Sequence, residues 1–215
     1  GKCIRFSVTD IRVFAGRNSV GVRGIKLAKD DCVISLSIID HVDVSTETKV
    51  AYLKKSKALR RLEGVDELEG EVDEEESGVP EVEISDEEFT RLQAHEQFIL
   101  TVSDTGFGKI TSAYEYRITH RGGSGITSIK FGAKNKAVAG SFEIINDQQV
   151  IMITDGGQII RMPVEDIRIA GRQTMGVTLF RVGADERVVS ITKLDADEET
   201  ENGEVEEAIQ AEVIN

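Results

Sequence analysis

Residues 157–182 read GQIIRMPVEDIRIAGRQTMGVTLFRV, and the chain writes this phrase three times. From Gly1 it runs GKCIRFSVTDIRVFAGRNSVGVRGIKL, and from Gly106 a looser copy runs GFGKITSAYEYRITHRGGSGITSIKF. Every copy opens on a glycine and closes on an apolar alternation. Each carries an acid, an apolar or aromatic residue and an arginine: Asp10-Ile11-Arg12, Glu115-Tyr116-Arg117 and Asp166-Ile167-Arg168. A second arginine follows at Arg17, Arg121 or Arg172, and a glycine four residues later at Gly21, Gly125 or Gly176. Gly125 to Gly176 spans 51 residues and Gly21 to Gly125 spans 104, close to two such periods, so an insertion separates the first two copies.

Within a copy the apolar residues recur at every second position, as in Val22-Arg23-Gly24-Ile25-Lys26-Leu27, which is the period of a strand with one face buried. Val150–Thr154 and Gln158–Arg161 flank Asp155-Gly156-Gly157 and read as a hairpin on a glycine turn. Short strands about every ten residues, repeated at a period near 50, predict propeller-like blades. The reading divides the chain into blades at 1–46, 98–146 and 147–194, with an insertion at 47–97 and an acidic tail at 195–215. In the insertion, Val50, Leu53, Leu59 and Leu62 lie at helical spacing, and Ser85-Asp86-Glu87-Glu88 is a capping box that starts a second helix. Residues 63–85 and the tail are too acidic and too poor in large apolar groups to order themselves, and are expected to be disordered.

The net charge of −13 over 215 residues hides a segregation. Residues 1–62 hold 13 Lys and Arg against 6 Asp and Glu, and residues 97–194 hold 12 against 9. The acids concentrate at 63–96, with 15 against 1, and at 195–215, with 9 against none. A moderately basic body therefore carries two acidic appendages, which are expected to compete with a polyanion for the basic surface. No window approaches the roughly 18 apolar residues of a membrane span, so the expectation is a cytosolic protein, as a piece of a longer chain, with no membrane partner. Cys3 and Cys32 lack a CxxC partner and His41, His95 and His120 are scattered. Two buried, reduced thiols and no metal site are the expectation.

No residue stands out as catalytic. There is no H-E-x-x-H, G-x-S-x-G or P-loop, and Gly106-Phe107-Gly108 leads into a strand rather than the helix a dinucleotide site needs. Asp10, Glu115 and Asp166 read as turn or strand-end positions. The recurring bases carry the sharper expectation. Guanidinium groups match phosphate oxygens with two donors, and several on one curved face attract a polyanion. The candidate DNA-contacting residues are Arg12, Arg17, Arg23, Lys26, Lys109, Arg117, Arg121, Arg168, Arg172 and Arg181. Their contacts would carry no base specificity and would weaken steeply with salt.

Gly157–Ile191, with the GFGKIT run at Gly106 and GVRGIKL at Gly21, resembles the blades of the C-terminal domain family of DNA gyrase A subunits. The resemblance covers 1–46 and 97–194. It implies an all-β fold, a β-pinwheel: a propeller-like disc of antiparallel blades, here a partial disc of about three to four with a short helical insertion. It further implies that double-stranded DNA wraps on a basic rim, so that a type II topoisomerase can introduce negative supercoils with ATP. By the same resemblance the complete bacterial enzyme is cytoplasmic and nucleoid-associated. It joins this polypeptide to the gyrase B subunit, which uses ATP and magnesium, and to a second copy of the A subunit. The family's catalytic tyrosine stands in a motif that Tyr52, Tyr114 and Tyr116 do not occupy, so this chain is expected to be non-catalytic. The glutamine-, arginine- and glycine-rich box that separates gyrase from topoisomerase IV is absent, which leaves the topoisomerase IV counterpart open. A propeller-like protein-interaction scaffold without DNA binding is the other alternative.

Overall fold

The computed structural model describes residues 1–62, 79–132 and 137–195. In chain order it contains β1 (Lys2–Cys3), α1 (Thr46–Leu62), α2 (Asp86–Ala94), β2 (Phe98–Ser103), β3 (Phe107–Ser112), β4 (Ile126–Thr127), β5 (Val138–Ile144), β6 (Gln149–Thr154), β7 (Ile159–Pro163), β8 (Val177–Thr178) and β9 (Val188–Leu194). Most of the two acidic stretches expected to be disordered lies outside the described residues. Residues 79–85 are described and are irregular.

The repeat governs the architecture. β2 pairs antiparallel with β3 and β5, and β6 does the same with β7 and β9. The register shifts at Val102/Ser103 in one sheet and at Ile153/Thr154 in the other, the same position in each copy. The first of the three 3-10 turns, Val8–Asp10, recurs as Ala113–Glu115 and Val164–Asp166, so each recurring acid closes such a turn. The strand after the recurring glycine leaves its own copy. β4 pairs with β1 as Lys2↔Thr127 and Cys3↔Ile126, and β8 pairs with β3 as Phe107↔Thr178 and Gly108↔Val177. The second and third copies thus each hand two residues to the copy before.

The strands form the core because their alternation puts one face inside. In β6, Val150, Met152 and Thr154 are buried while their neighbours are half-buried. The apolar cluster joins the second and third copies: Leu100, Val102, Ile110 and Ile144 meet Val150, Met152, Val164 and Phe180. In the first copy, residues 33–40 carry the same alternation but form no strand, and Leu36 is 81% and Ile38 71% exposed. Their counterparts β5 and β9 each lie on a hairpin strand, β2 or β6, and no described strand pairs with 33–40.

The insertion is a packed unit. Tyr52 and Leu53 of α1 meet Phe89 and Leu92 of α2, with Tyr114 from the second copy's 3-10 turn closing the cluster. The Tyr114 hydroxyl donates to the Leu92 carbonyl at 2.9 Å. The Ser85 hydroxyl accepts the Glu88 N–H, which is the capping bond expected from the sequence.

Candidate nucleic-acid interface

The bases divide by the position they occupy in the repeat. Five residues after the glycine stand Lys26, Lys130 and Arg181, all exposed. They keep one offset from the recurring glycine, and from the arginine four residues before it, in all three copies. Lys130 thereby joins the candidates on the same footing as Lys26 and Arg181. Two residues after the acid, Arg12 and Arg117 are exposed and Arg168 is half-buried. The Arg12 guanidinium lies over the Phe14 ring at 5.5 Å, where the ring face attracts the cation. Arg23, with threonines at its counterparts 127 and 178, is also exposed.

The second arginine of each pair does different work. Arg121 donates through Nη1 to the Arg23 carbonyl and through Nε to the Asp10 carbonyl. Arg172 donates through Nη1 to the carbonyl of Thr127, the residue equivalent to Arg23. Both clamp their own copy to the strand region of the copy before. Arg121 remains exposed while doing so, whereas Arg172 is 2% exposed. Its backbone N–H donates to the Glu115 carboxylate at 2.6 Å. Arg17, their counterpart in the first copy, is exposed.

Two of the expected contacts are therefore corrected. Arg172 is buried in a junction, and Lys109 is fully buried. The Lys109 ammonium donates to the carbonyls of Gly171 and Arg172, each at 2.6 Å, and of Thr174 at 2.9 Å. Burial pulls its pKa down to about 7, with Arg172 lowering it further and Glu115 opposing. Neither group reaches a phosphate outside. The thiols differ from expectation too: Cys3 is half-buried and pushed up to about 11 by burial, whereas Cys32 is exposed.

Arg5, a base that the sequence would place with the others along the surface, also serves a junction. Its guanidinium donates to the carbonyls of Ala113, Tyr116 and Asp40, tying the start of the first copy to the second copy and to the end of its own. Beside it an open cleft of about 190 Å³ at the first junction is lined by Arg117, Thr119, His120 and Ser124. Three bases of helix α1, by contrast, meet acids within the chain. Lys54 pairs with Glu81, Lys55 with Asp86 at 2.7 Å, and Lys57 with Glu115. Among the described residues no group of three or more His, Cys, Asp or Glu could hold a metal ion, and no helix is long and apolar enough to cross a membrane.

Exposed cations thus stand at fixed repeat positions, a donor chemistry suited to phosphate oxygens rather than to bond-making. The family described as DNA gyrase C-terminal domain, beta-propeller, matches residues 1–40, 97–139 and 148–195. The DNA gyrase A subunit of Granulibacter bethesdensis is 46% identical over 199 residues, covering 89% of this chain and 21% of the relative. That of Rickettsia bellii is 41% identical over 216 residues, covering 99% and 23%. A solved DNA gyrase A C-terminal domain is 21% identical with a TM-score of 0.44, over 46% of this chain and 34% of that one. The chain spans about a fifth of the length of the curated relatives it matches.

Proposed function

The chain belongs to the DNA gyrase C-terminal domain, beta-propeller, family, and from that premise we propose that it binds and wraps duplex DNA without sequence preference. The observation that carries the reading is the recurrence of an exposed base at one repeat position, Lys26, Lys130 and Arg181, flanked by Arg12, Arg117 and Arg168. Equivalent cations on successive copies are spaced by the fold, so a duplex that meets one is led to the next. Each phosphate neutralised releases condensed counterions, and that gain offsets the elastic cost of bending, which is of order 1–6 kcal/mol for a 40–90° bend over 20–30 base pairs.

Within the complete protein this wrapping would set the crossing for a type II topoisomerase that introduces negative supercoils. Its partners would be the gyrase B subunit, with its ATP and magnesium, together with a second copy of the A subunit. The curated relatives carry the gyrase name, so gyrase is the reading kept over topoisomerase IV. In this chain the proposed role is binding and shaping DNA, with the cleavage chemistry placed elsewhere in the enzyme.

Fluorescence anisotropy with two duplexes of equal length and unrelated sequence tests the reading. Equal affinities that fall together and steeply with salt support it. Undetectable binding at low salt contradicts it and favours the protein-interaction scaffold, and a marked preference for one duplex contradicts the non-specific mode.

A further inference from the structure

Between Thr46 and Leu62, helix α1 holds six Lys and Arg against one Glu. Its apolar side is occupied, since Tyr52 and Leu53 pack on Phe89 and Leu92. The opposite side turns Lys54, Ala58 and Arg61 to solvent. Lys54 and Arg61 are two turns apart, so they share one face about 10 Å from each other along the axis. The small side chains of Ala51 and Ala58 beside them leave that face open to close approach. The helix also lies next to the repeat. Near its start, burial and then the charge of Arg5 lower the pKa of Lys49. Farther along, Lys57 meets one oxygen of the Glu115 carboxylate at 3.6 Å, and the other oxygen accepts the Arg172 N–H. Arg117, a candidate contact, stands two residues after Glu115.

Acids of the chain itself cover two of these bases. Glu81 reaches Lys54 at 3.4 Å, and Asp86 reaches Lys55 at 2.7 Å. The cover is superficial. The Glu81 side chain is 86% exposed and that of Asp86 98%. Residues 80–83 are all exposed, and Ile84 alone among residues 80–84 packs against the apolar cluster. An open cleft of about 590 Å³ lies between this stretch and α1, lined by Val50 and Ala51 on one side and Pro80 and Val82 on the other. Ion pairs this exposed hold weakly and are screened by salt. The Lys55 ammonium also lies over the Phe89 ring at 4.8 Å, which keeps it in place without its carboxylate.

We propose that α1 is a second duplex-binding surface, masked by the carboxylates of Glu81 and Asp86; the inference rests on the DNA binding proposed above. Phosphate oxygens take the place of the two carboxylates on Lys54 and Lys55, and Arg61 adds a contact on the same face. These are backbone contacts and read no base. Because the acids compete with phosphate for the same ammonium groups, α1 engages after the recurring cations have captured the duplex. Capture raises the phosphate concentration beside the helix, as a tether does. The mask thereby makes the insertion an extension of the wrap rather than a first point of contact.

Duplex binding by fluorescence anisotropy across salt concentrations tests the proposal, with Glu81→Gln and Asp86→Asn made together. Affinity at low salt should rise about fivefold, the equivalent of about 1 kcal/mol for two exposed pairs. The slope of log K against log salt should steepen by about 2, for two added phosphate contacts. Adding Lys54→Ala and Lys55→Ala should remove both gains, whereas the same lysine changes in the otherwise unaltered chain should have little effect. Asp147→Asn with Asp185→Asn, which removes two exposed acids of the third copy, matches the change in charge and should leave affinity near that of the unaltered chain. Circular dichroism spectra matching the unaltered chain keep the comparison to folded protein. No gain on unmasking, an equal gain from the charge-matched pair, or a gain that survives the loss of both lysines would overturn the proposal and leave binding by the unaltered chain standing. Binding by the unmasked variant alone would support α1 and contradict the role of the recurring cations. Absence of binding in both chains would contradict the DNA reading itself.

Discussion

At the scale of single residues the junctions are held by groups that a survey of charge alone assigns to the surface. Lys109 is the clearest case. Gly171 and Thr174 have other donors to their carbonyls, from Thr174 N–H and Lys130 N–H, but the Arg172 carbonyl takes its bond from Lys109. Lys109→Met keeps the stem and removes the ammonium's bonds to the three carbonyls, so chemical denaturation at pH 7 should show a loss of about 2 kcal/mol. The pH dependence has a definite sign. The folded group loses its proton near pH 7, whereas the unfolded one holds it to about 10.5. Between those values the unfolded chain binds more protons, so stability contributed by this position rises with pH. The advantage of the unaltered chain over Lys109→Met should be larger at pH 9.5 than at pH 6.5. Gly176 is a second fixed point: its φ of +82° and the Gly108 carbonyl above it both exclude a side chain. Gly176→Ala should lower the thermal midpoint, with a cost of about 2 kcal/mol or more.

Among elements, the insertion and the exchanged strands behave differently. The insertion rests on a small cluster in which Leu92 is fully buried between Tyr52 and Tyr114. Leu92→Ala should cost about 2–5 kcal/mol, read as faster hydrogen exchange in α1 and α2 with β6 and β9 little changed. The helices were legible in the sequence because Val50 and Leu53, like Leu59 and Leu62, lie three apart and Ser85 announces a cap, although Leu59 and Leu62 are exposed. The β2–β3 and β6–β7 hairpins were legible from alternation around glycine turns. The exchange of β4 and β8 was not: two residues such as Ile126-Thr127 carry too little pattern to name a partner in another copy. The burial of Lys109 was hidden for a related reason, since its partners are backbone carbonyls, which no residue type marks. The arginine pairs were legible as a repeat, but their division into surface cations and junction clamps needed the registers of both junctions.

For the whole molecule, charge is segregated by depth as well as along the chain. Lys54, Lys55 and Lys57 are matched by acids, Lys109 and Arg172 are buried, and the exposed cations include a set that recurs with the repeat, Lys26, Lys130 and Arg181. The central claim is that these recurring surface cations, and not the total of basic residues, hold DNA. Its most direct test is the salt dependence of duplex binding for the chain carrying Lys26→Ala, Lys130→Ala and Arg181→Ala together. Three lost phosphate contacts predict lower affinity and a slope of log K against log salt reduced in magnitude by about 2 to 3. An affinity and slope equal to those of the unaltered chain would contradict the account.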